Sequence, residues 1–255
     1  ALIKDMLILL LVLPMCMNDF DENINYSSEN VAVNLEQIPI ATVYRNKTVL
    51  KLEKILKRTI DIIAGILGVI ALLPLTLIIY IANLICNDNG PIFYTQERYG
   101  KNGKIFKLYK YRSMVVGADE KLEEYLRENE DARKEYKKYK KLKNDPRITK
   151  VGSFIRKTSL DEFPQFINVL KGEMSLVGPR PYLPREREDI NGFFNYIMSV
   201  KPGITGLWQV NGRSDTTFTE RLTLDMSYYY KHNLKLDFKI LGKTVKDVVK
   251  KEGAI

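Results

Sequence analysis

Two adjacent carboxylates, Asp161 and Glu162, follow Ser159 and precede Pro164 in the chain. Serine is a favourable helix N-cap and proline is tolerated in a first helical turn, so the segment predicts a helix that runs to about Leu170. Acidic side chains at a helix start complement the helix dipole, which is the simplest interpretation of the pair. Carboxylates can also hold Mg²⁺, so the basic residues that accompany the pair decide whether it carries chemistry.

Three arginines accompany the acidic pair: Arg156, Arg180 and Arg213. Arg180 lies in a Gly-Pro-Arg-Pro turn, and Arg213 ends a second segment that is punctuated by glycine and proline and holds the only Trp, Trp208. Forked guanidinium donors on rigid turns match the oxygens of phosphate groups. Together with carboxylates that hold Mg²⁺, these arginines suit a diphosphate and its divalent metal.

The composition excludes several other kinds of site. His232 is the only histidine, which excludes a Ser-His-Asp triad and a histidine-rich metal site. Cys16 and Cys86 form no C-x-x-C pair, so neither a disulfide framework nor a thiolate metal site is indicated. No P-loop or G-x-G-x-x-G motif is present, which argues against an ATPase or a dinucleotide enzyme. The formal net charge of +9 indicates an acidic partner. Catalysis, in the absence of these sites, has to use carboxylates, lysine, tyrosine or a bound metal.

One segment, residues 60–82, is apolar and long enough for a lipid bilayer. Pro74 lies near its middle, and basic residues flank it on both sides, so both flanks are predicted to be cytosolic. A helix that enters the bilayer, breaks at Pro74 and returns satisfies both observations. A straight spanning helix with a kink is the alternative. Asp61, at the boundary, is predicted to pair with Lys57 and Arg58, which precede it by four and three residues.

The remaining elements have to position these groups. Two β-rich runs flank the glycines of residues 100–103, so a hairpin is predicted, with Lys110 and Arg112 on one face of its second strand if that strand continues. Residues 119–143 are predicted to form one highly charged helix. Amphipathic helices are predicted near the C-terminus.

Several ordered motifs together resemble the bacterial sugar transferase family, the monotopic polyprenyl-phosphate phosphoglycosyl transferases. The resemblance runs from about Lys57 to the C-terminus. The chain departs from it at Leu73, where many members have a serine that supports the break at the following proline. The motifs are Lys57-Arg58 with Asp61, Gln96-Glu97-Arg98, Lys-Tyr-Arg-Ser-Met at 110–114, Ser-Leu-Asp-Glu-Phe-Pro-Gln at 159–165, Gly-Pro-Arg-Pro at 178–181, and Pro-Gly-Ile-Thr-Gly at 202–206 up to Arg213.

The resemblance implies a two-step ping-pong reaction at the Asp-Glu dyad. Asp161 would attack the β-phosphate of a UDP-sugar, release UMP and carry the sugar phosphate covalently until polyprenyl (undecaprenyl) phosphate accepts it. Glu162 would position Mg²⁺ or the dyad, and both carboxylates are the expected metal ligands. Phosphate charge would be neutralised by a set of basic side chains: Arg156, Arg180, Arg213, Lys110 and Arg112.

The resemblance also implies an α+β, mostly helical fold with a membrane re-entrant helix hairpin, a small cytosolic catalytic domain and interfacial amphipathic helices. Residues 1–48 are expected to be the remnant of an upstream region and a linker, residues 49–87 the membrane anchor, and residues 88–255 the catalytic domain. The expected partners are a UDP-sugar, polyprenyl phosphate and membrane lipid, and a homo-oligomer is left open. The expected place is the bacterial inner membrane, on its cytosolic face, at the first membrane step of surface polysaccharide assembly such as exopolysaccharide, capsule or O-antigen.

Three other classes of protein are alternatives. A non-catalytic, membrane-anchored binding protein of the same fold would be expected to lack the dyad or the arginine turns. A nucleic-acid binder is disfavoured because no recognised binding module is present. A polytopic transferase is disfavoured because one apolar segment cannot build a bundle of several membrane helices.

Overall fold

A computed structural model describes residues 47–212 and 216–250. Nearly all of the predicted upstream region, residues 1–46, therefore lies outside the described residues, as does Arg213. The helices are α1 (Lys47–Ile85), α2 (Ala118–Glu128), α3 (Glu130–Tyr139), α4 (Lys150–Lys157), α5 (Gln165–Lys171), α6 (Arg187–Ile190), α7 (Phe194–Ile197), α8 (Leu207–Val210), α9 (Phe218–Lys231) and α10 (Leu234–Lys250). The strands are β1 (Phe93–Tyr99), β2 (Ile105–Tyr111), β3 (Ser175–Val177) and β4 (Gly203–Thr205). The mostly helical fold that was predicted is thereby confirmed.

Helix α1 has 39 residues and carries Pro74 inside it, so the two separate arms predicted from the sequence are not confirmed. Among the described residues it is the one helix that is long and apolar enough to cross a membrane. One face is exposed and apolar: Ile70, Leu73 and Leu77 are 61%, 77% and 59% exposed. The opposite face, which includes Leu72, is buried against the rest of the protein. Helix α1 therefore has two apolar faces. One packs against the rest of the protein, and the other is uncovered.

Two glycines let helix α5 lie directly against α1. A Cβ atom at Gly65 would stand 2.7 Å from Cδ2 of Leu170, and one at Gly68 would stand 2.2 Å from Cγ of Phe166. Distances this short leave no room for a larger residue, so the two glycines allow the close approach. The contact matters for the site because α5 begins just after Glu162.

The charged residues at the start of α1 bind distant parts of the chain. The carboxylate of Asp61 accepts hydrogen bonds from the hydroxyl of Ser175 at 3.0 Å and the backbone N–H of Leu176 at 2.9 Å. Lys57 pairs with Asp237 of α10. Arg58 donates to the last carbonyls of α5, those of Val169 and Leu170. The local pairing predicted for Asp61 is therefore wrong, because these side chains point into the folded domain rather than along the helix surface.

The predicted hairpin is confirmed as the antiparallel pair β1 and β2, with Phe93 opposite Tyr111 and Tyr99 opposite Ile105. Successive side chains of a strand point to opposite faces. Tyr111 is accordingly buried against α1, where its hydroxyl lies 2.7 Å from that of Thr76, whereas Lys110 points to the dyad.

Strands β3 and β4 form a short parallel pair that joins the two segments rich in glycine and proline. The N–H of Gly178 donates to Thr205 at 3.0 Å, and the N–H of Gly203 donates to Pro179 at 2.9 Å. The two turns predicted to be rigid are therefore neighbours, although they are far apart in sequence.

The highly charged segment does not form the single helix predicted from the sequence. Helices α2 and α3 are separated at Asn129, whose backbone is extended at φ −122° and ψ 104°. The break lets Leu122 and Ala132 meet Leu142 in a small apolar cluster, which a straight helix would not allow. The C-terminal helices α9 and α10 confirm the predicted helices there.

Candidate active site

Asp161 and Glu162 lie in a tight 3₁₀ turn, Leu160–Glu162, between α4 and α5. Pro164 has no N–H, and the N–H of Phe163 instead donates to the carbonyl of Leu160 at 3.1 Å. The prediction of one continuous helix from this point is therefore wrong, and Ser159 makes no side-chain cap.

Ser159 has an unusual backbone conformation just before the acidic pair. Its backbone is left-handed, with φ 56° and ψ 18°, a conformation that costs a non-glycine residue about 1–2 kcal/mol. Ser159 and both acidic residues line the same cavity, so the strained turn delivers the two carboxylates to it.

Lys110 bridges the two carboxylates. Its Nζ donates to Oε1 of Glu162 at 3.0 Å and lies 3.6 Å from Oδ2 of Asp161. Burial raises the pKa of Asp161, and the positive charge of Lys110 opposes that rise. The lysine therefore favours the ionised form of a carboxylate that burial alone would tend to protonate.

The dyad opens into a cavity of about 450 Å³, a volume in the range of small-molecule sites. Four basic side chains line it with the two carboxylates: Lys110, Lys141, Arg156 and Arg221. This excess of positive charge suits an anionic ligand.

Arg156 is placed as predicted, in the cavity wall. Its positive charge also helps to lower the pKa of Asp161, against the effect of burial. Its Nε is buried and has no hydrogen-bond partner among the described residues. A buried donor without a partner is energetically costly. A ligand oxygen in the cavity could accept the hydrogen bond that this Nε makes to no described residue.

Arg221 and Trp208 form a part of the wall that the sequence did not predict. The guanidinium of Arg221 lies 5.2 Å from the ring centre of Trp208, within the range of a cation–π contact. Burial, and then the charge of Arg180, lowers the pKa of Arg221 to about 10. In the sequence Trp208 stands out only as the single Trp, and no motif marks Arg221, which lies in helix α9.

Arg112 does not line the cavity. Its guanidinium donates to both oxygens of Asp88, at 2.7 and 3.1 Å, and to the carbonyls of Pro91 and Met114. These contacts tie the loop after α1 to the end of the hairpin. The structure therefore does not bring Arg112 to the dyad and instead places it in contacts between these two segments.

Arg180 also stays outside the cavity. Its guanidinium donates to Oε1 of Glu186 at 3.2 Å and lies over the ring of Tyr182. Its backbone N–H donates to the buried carboxylate of Asp225. The positive charge of Arg180 also helps to lower the pKa of Arg221, after the larger effect of burial. The predicted phosphate-binding set is thus divided: Lys110 and Arg156 line the cavity, whereas Arg112 and Arg180 do not.

The described residues contain no group of three or more His, Cys, Asp or Glu side chains arranged to hold a metal ion. Asp161 and Glu162 are close together, since both contact Lys110 Nζ. Mg²⁺ is commonly held by one or two carboxylates and completed by substrate phosphates and water. The dyad therefore has the donors that such a site needs, but not those of a cage made by protein alone.

Comparison with known proteins decides the family. Residues 52–251 match the family described as "Bacterial sugar transferase". The chain belongs to the bacterial sugar transferase family. The match includes the dyad, the cavity and nearly all of α1, so the predicted resemblance is confirmed.

Three relatives of this sugar transferase illustrate the family. The chain is 47% identical over 210 residues to "Undecaprenyl-phosphate galactose phosphotransferase" of Salmonella typhimurium, a match that covers 82% of this chain and 44% of the relative. It is 42% identical over 199 residues to "UDP-glucose:undecaprenyl-phosphate glucose-1-phosphate transferase" of Klebsiella pneumoniae, covering 75% and 39%. It is 41% identical over 198 residues to "Exopolysaccharide production protein ExoY" of Rhizobium meliloti, covering 78% and 87%. The match thus covers less than half of the first two relatives and most of the third.

Proposed function

We propose that this sugar transferase moves a hexose-1-phosphate from a UDP-sugar to a polyprenyl phosphate such as undecaprenyl phosphate, and releases UMP. The observation that carries the proposal is the bridged dyad: Lys110 contacts both Asp161 and Glu162 in a cavity with three further basic side chains. The names of the Salmonella and Klebsiella relatives support the same substrates.

The first step is a displacement at phosphorus. A carboxylate oxygen of Asp161 attacks the β-phosphorus of the UDP-sugar, a new P–O bond forms, and the bond from that phosphorus to the bridging oxygen breaks. UMP leaves with the bridging oxygen and its electron pair. Asp161 must be ionised to attack, and the charge of Lys110 supports that state against burial. Covalent catalysis divides one difficult transfer into two easier ones.

The second step repeats the displacement with the lipid substrate. A phosphate oxygen of the polyprenyl phosphate attacks the phosphorus held on Asp161, and the carboxylate leaves in its original form. Phosphoryl transfer depends mainly on positioning and on neutralising charge. Lys110, Arg156 and Arg221 supply fixed positive charge to the cavity. No histidine is needed for either step.

Mg²⁺ belongs to this proposal. Asp161 and Glu162 would hold it, with the diphosphate of the donor completing its ligands. When bound, the ion supplies further neutralisation of phosphate charge. Lys110 would then orient the two carboxylates from the protein side, because it already contacts both of them.

We also propose that α1 enters the membrane without crossing it and that the catalytic part faces the cytosol at the bacterial inner membrane. Near its start, Lys57 donates to the carbonyl of Val177 at 3.0 Å, and further along, Ile79 packs in one cluster with Tyr111 and Val151. The two regions of the helix are separated by roughly 33 Å at 1.5 Å per residue, about the thickness of the hydrocarbon core. A spanning helix would place them on opposite sides, whereas here both contact the same globular part.

A UMP-release assay tests the proposed reaction. The purified protein, supplied with Mg²⁺, a UDP-hexose and polyprenyl phosphate, should release UMP, and Asp161→Asn should abolish the release. The relatives differ in the hexose that their names give, so UDP-glucose, UDP-galactose and their N-acetylated forms should be compared. Undiminished turnover by Asp161→Asn would refute the nucleophile.

Cysteine labelling tests the membrane arrangement. Single cysteines placed before Ile60 and after Ile85, in a variant without the native cysteines, should be labelled from the same side of sealed vesicles. Labelling from opposite sides would restore the spanning helix.

A further inference from the structure

Part of the lining of the dyad cavity is apolar. Its charged groups suit phosphate, but apolar side chains also line it, and four of them are here called the apolar wall: Phe163, Phe166, Ile204 and Val248. A nucleotide sugar presents hydroxyl, phosphate and amide groups over most of its surface. The apolar wall therefore suits a second ligand, one that has a large hydrocarbon surface next to a phosphate.

The apolar wall is continuous with the helix that enters the membrane. Phe166 lines the cavity and also packs against α1 at Gly68, where a Cβ atom would stand 2.2 Å from its ring. Phe163 joins the cluster that contains Leu72 of α1. One layer of side chains thus separates the dyad from the apolar helix.

Helix α10 forms the other edge of the cavity through Thr244 and Val248. Val245 and Val248 are 48% and 39% exposed, an apolar surface on a helix that is otherwise rich in lysine. The start of α10 packs against the start of α1, since Asp237 pairs with Lys57. Helix α10, which lines the cavity, therefore contacts the apolar helix α1 directly, and each of the two helices carries exposed apolar side chains.

We propose that the apolar wall is the subsite for the isoprenoid chain of the acceptor, whose units nearest the phosphate lie against Phe166 and Val248. This inference rests on the proposed function. It explains how a substrate that is anchored in the membrane brings its phosphate to a buried carboxylate: the hydrocarbon follows an apolar path from the bilayer, and the phosphate alone enters the charged part of the cavity. Burial of these first units against the wall would contribute to acceptor binding.

The test uses two valines on the same helix. Val248→Ser removes an apolar side chain from the cavity, and Val245→Ser is the matched control, because Val245 is also exposed but does not line the cavity. Val248→Ser should raise the KM for polyprenyl phosphate about tenfold, and Val248→Leu should restore it. Val245→Ser should leave that KM nearly unchanged, which separates acceptor binding from a general loss of contact with the membrane.

A second readout uses no acceptor. The exchange of labelled UMP into UDP-hexose reports only the first half-reaction, and its dependence on UDP-hexose should be unchanged in Val248→Ser. A weaker affinity for UDP-hexose would assign the wall to the donor and overturn the inference, and so would equal effects of the two serine variants on the acceptor KM. If the parent protein shows neither exchange nor transfer, the proposed function itself fails. If it shows both and Val248→Ser behaves like the parent, only the subsite fails.

Discussion

Two clusters in this molecule both combine carboxylates with basic side chains, but one faces a cavity and the other is buried. The dyad cluster consists of Asp161, Glu162 and Lys110, and it opens into a cavity. The buried arginine cluster consists of Arg98, Arg180, Tyr182, Glu186 and Asp225, and none of these residues lines that cavity. Arg180 donates to Glu186, and the hydroxyl of Tyr182 donates to Asp225 at 2.8 Å. An arginine on a rigid turn can thus be bound within the protein framework, whereas the dyad and Lys110 face an open cavity.

The largest expected effect concerns the dyad cluster. Lys110→Met removes the charge that bridges the two carboxylates and should lower kcat by roughly 10²–10³-fold, the cost of losing one preorganised electrostatic contact in an active site. The midpoint of unfolding should change little, because Lys110 is only partly buried. Lys107→Met is the matched control, since Lys107 is an exposed residue of the same strand. A similar loss in both variants would show that the strand, rather than the bridge, had been damaged.

The buried arginine cluster should respond in the opposite way. Arg180→Met leaves the carboxylate of Glu186 buried without its charged partner and should lower the free energy of unfolding by roughly 3 kcal/mol. Arg185→Met is the control, because Arg185 is exposed and makes a surface ion pair with Asp119. Thermal unfolding of the purified variants measures both. A fully stable Arg180→Met protein that no longer binds UDP-hexose would return Arg180 to the phosphate-binding set.

Asp225 gives the buried cluster a dependence on pH. Burial raises the pKa of this carboxyl to about 7 from an ordinary value of 3.8, although Tyr182, Arg180 and Arg221 oppose the rise. Because the folded protein holds this proton to a higher pH than the unfolded chain does, its stability should fall as pH rises from about 4 to about 7. Between pH 5 and pH 7 the loss should be roughly 2 kcal/mol.

The measurement is the midpoint of thermal unfolding at several pH values, for the parent and for Asp225→Asn. The variant keeps the shape of the side chain and cannot ionise, so the part of the pH dependence due to this group should disappear. An identical slope in both proteins would contradict the assignment to Asp225.

The smallest expected effect lies at Pro74 of α1. The carbonyl of Leu72 accepts from the hydroxyl of Thr76 at 2.7 Å and lies 3.4 Å from that of Tyr111. These hydroxyls lie beside Pro74, which follows Leu73 in this chain. Thr76→Val should lower the free energy of unfolding by about 1 kcal/mol. Thr59→Val is the control, since Thr59 donates to the carbonyl of Ile55 on an exposed part of the helix and its loss should be nearly neutral.

The sequence was sufficient for features that depend on local pattern. The apolar segment, the hairpin around residues 100–103, and the dyad with Lys110 and Arg156 beside it could all be predicted. Their signals are hydrophobic length, glycine placement and ordered motifs. These signals act over a few residues, and the features that they predict are present in the structure.

The parts that could not be predicted depend on which distant groups meet. Arg112 and Arg180 lie within sequence motifs. Their partners, Asp88 and Glu186, come close to them only when the chain folds. Arg221 and Val248 reach the cavity from ordinary amphipathic helices, so neither had a local signal. The composition of segment 119–143 favours helix throughout and so predicts one helix. The helix ends at Asn129 because Leu122 and Ala132 pack together with Leu142.

The mass of the intact protein tests most directly the proposal that Asp161 carries the sugar phosphate covalently. After incubation with Mg²⁺ and a UDP-hexose without acceptor, the parent protein should gain the mass of one hexose phosphate less one water, and polyprenyl phosphate should remove it. Asp161→Asn should gain nothing. A stable adduct on Asp161→Asn, or full transfer by a parent protein that never carries the adduct under conditions where an acyl phosphate survives, would contradict the account.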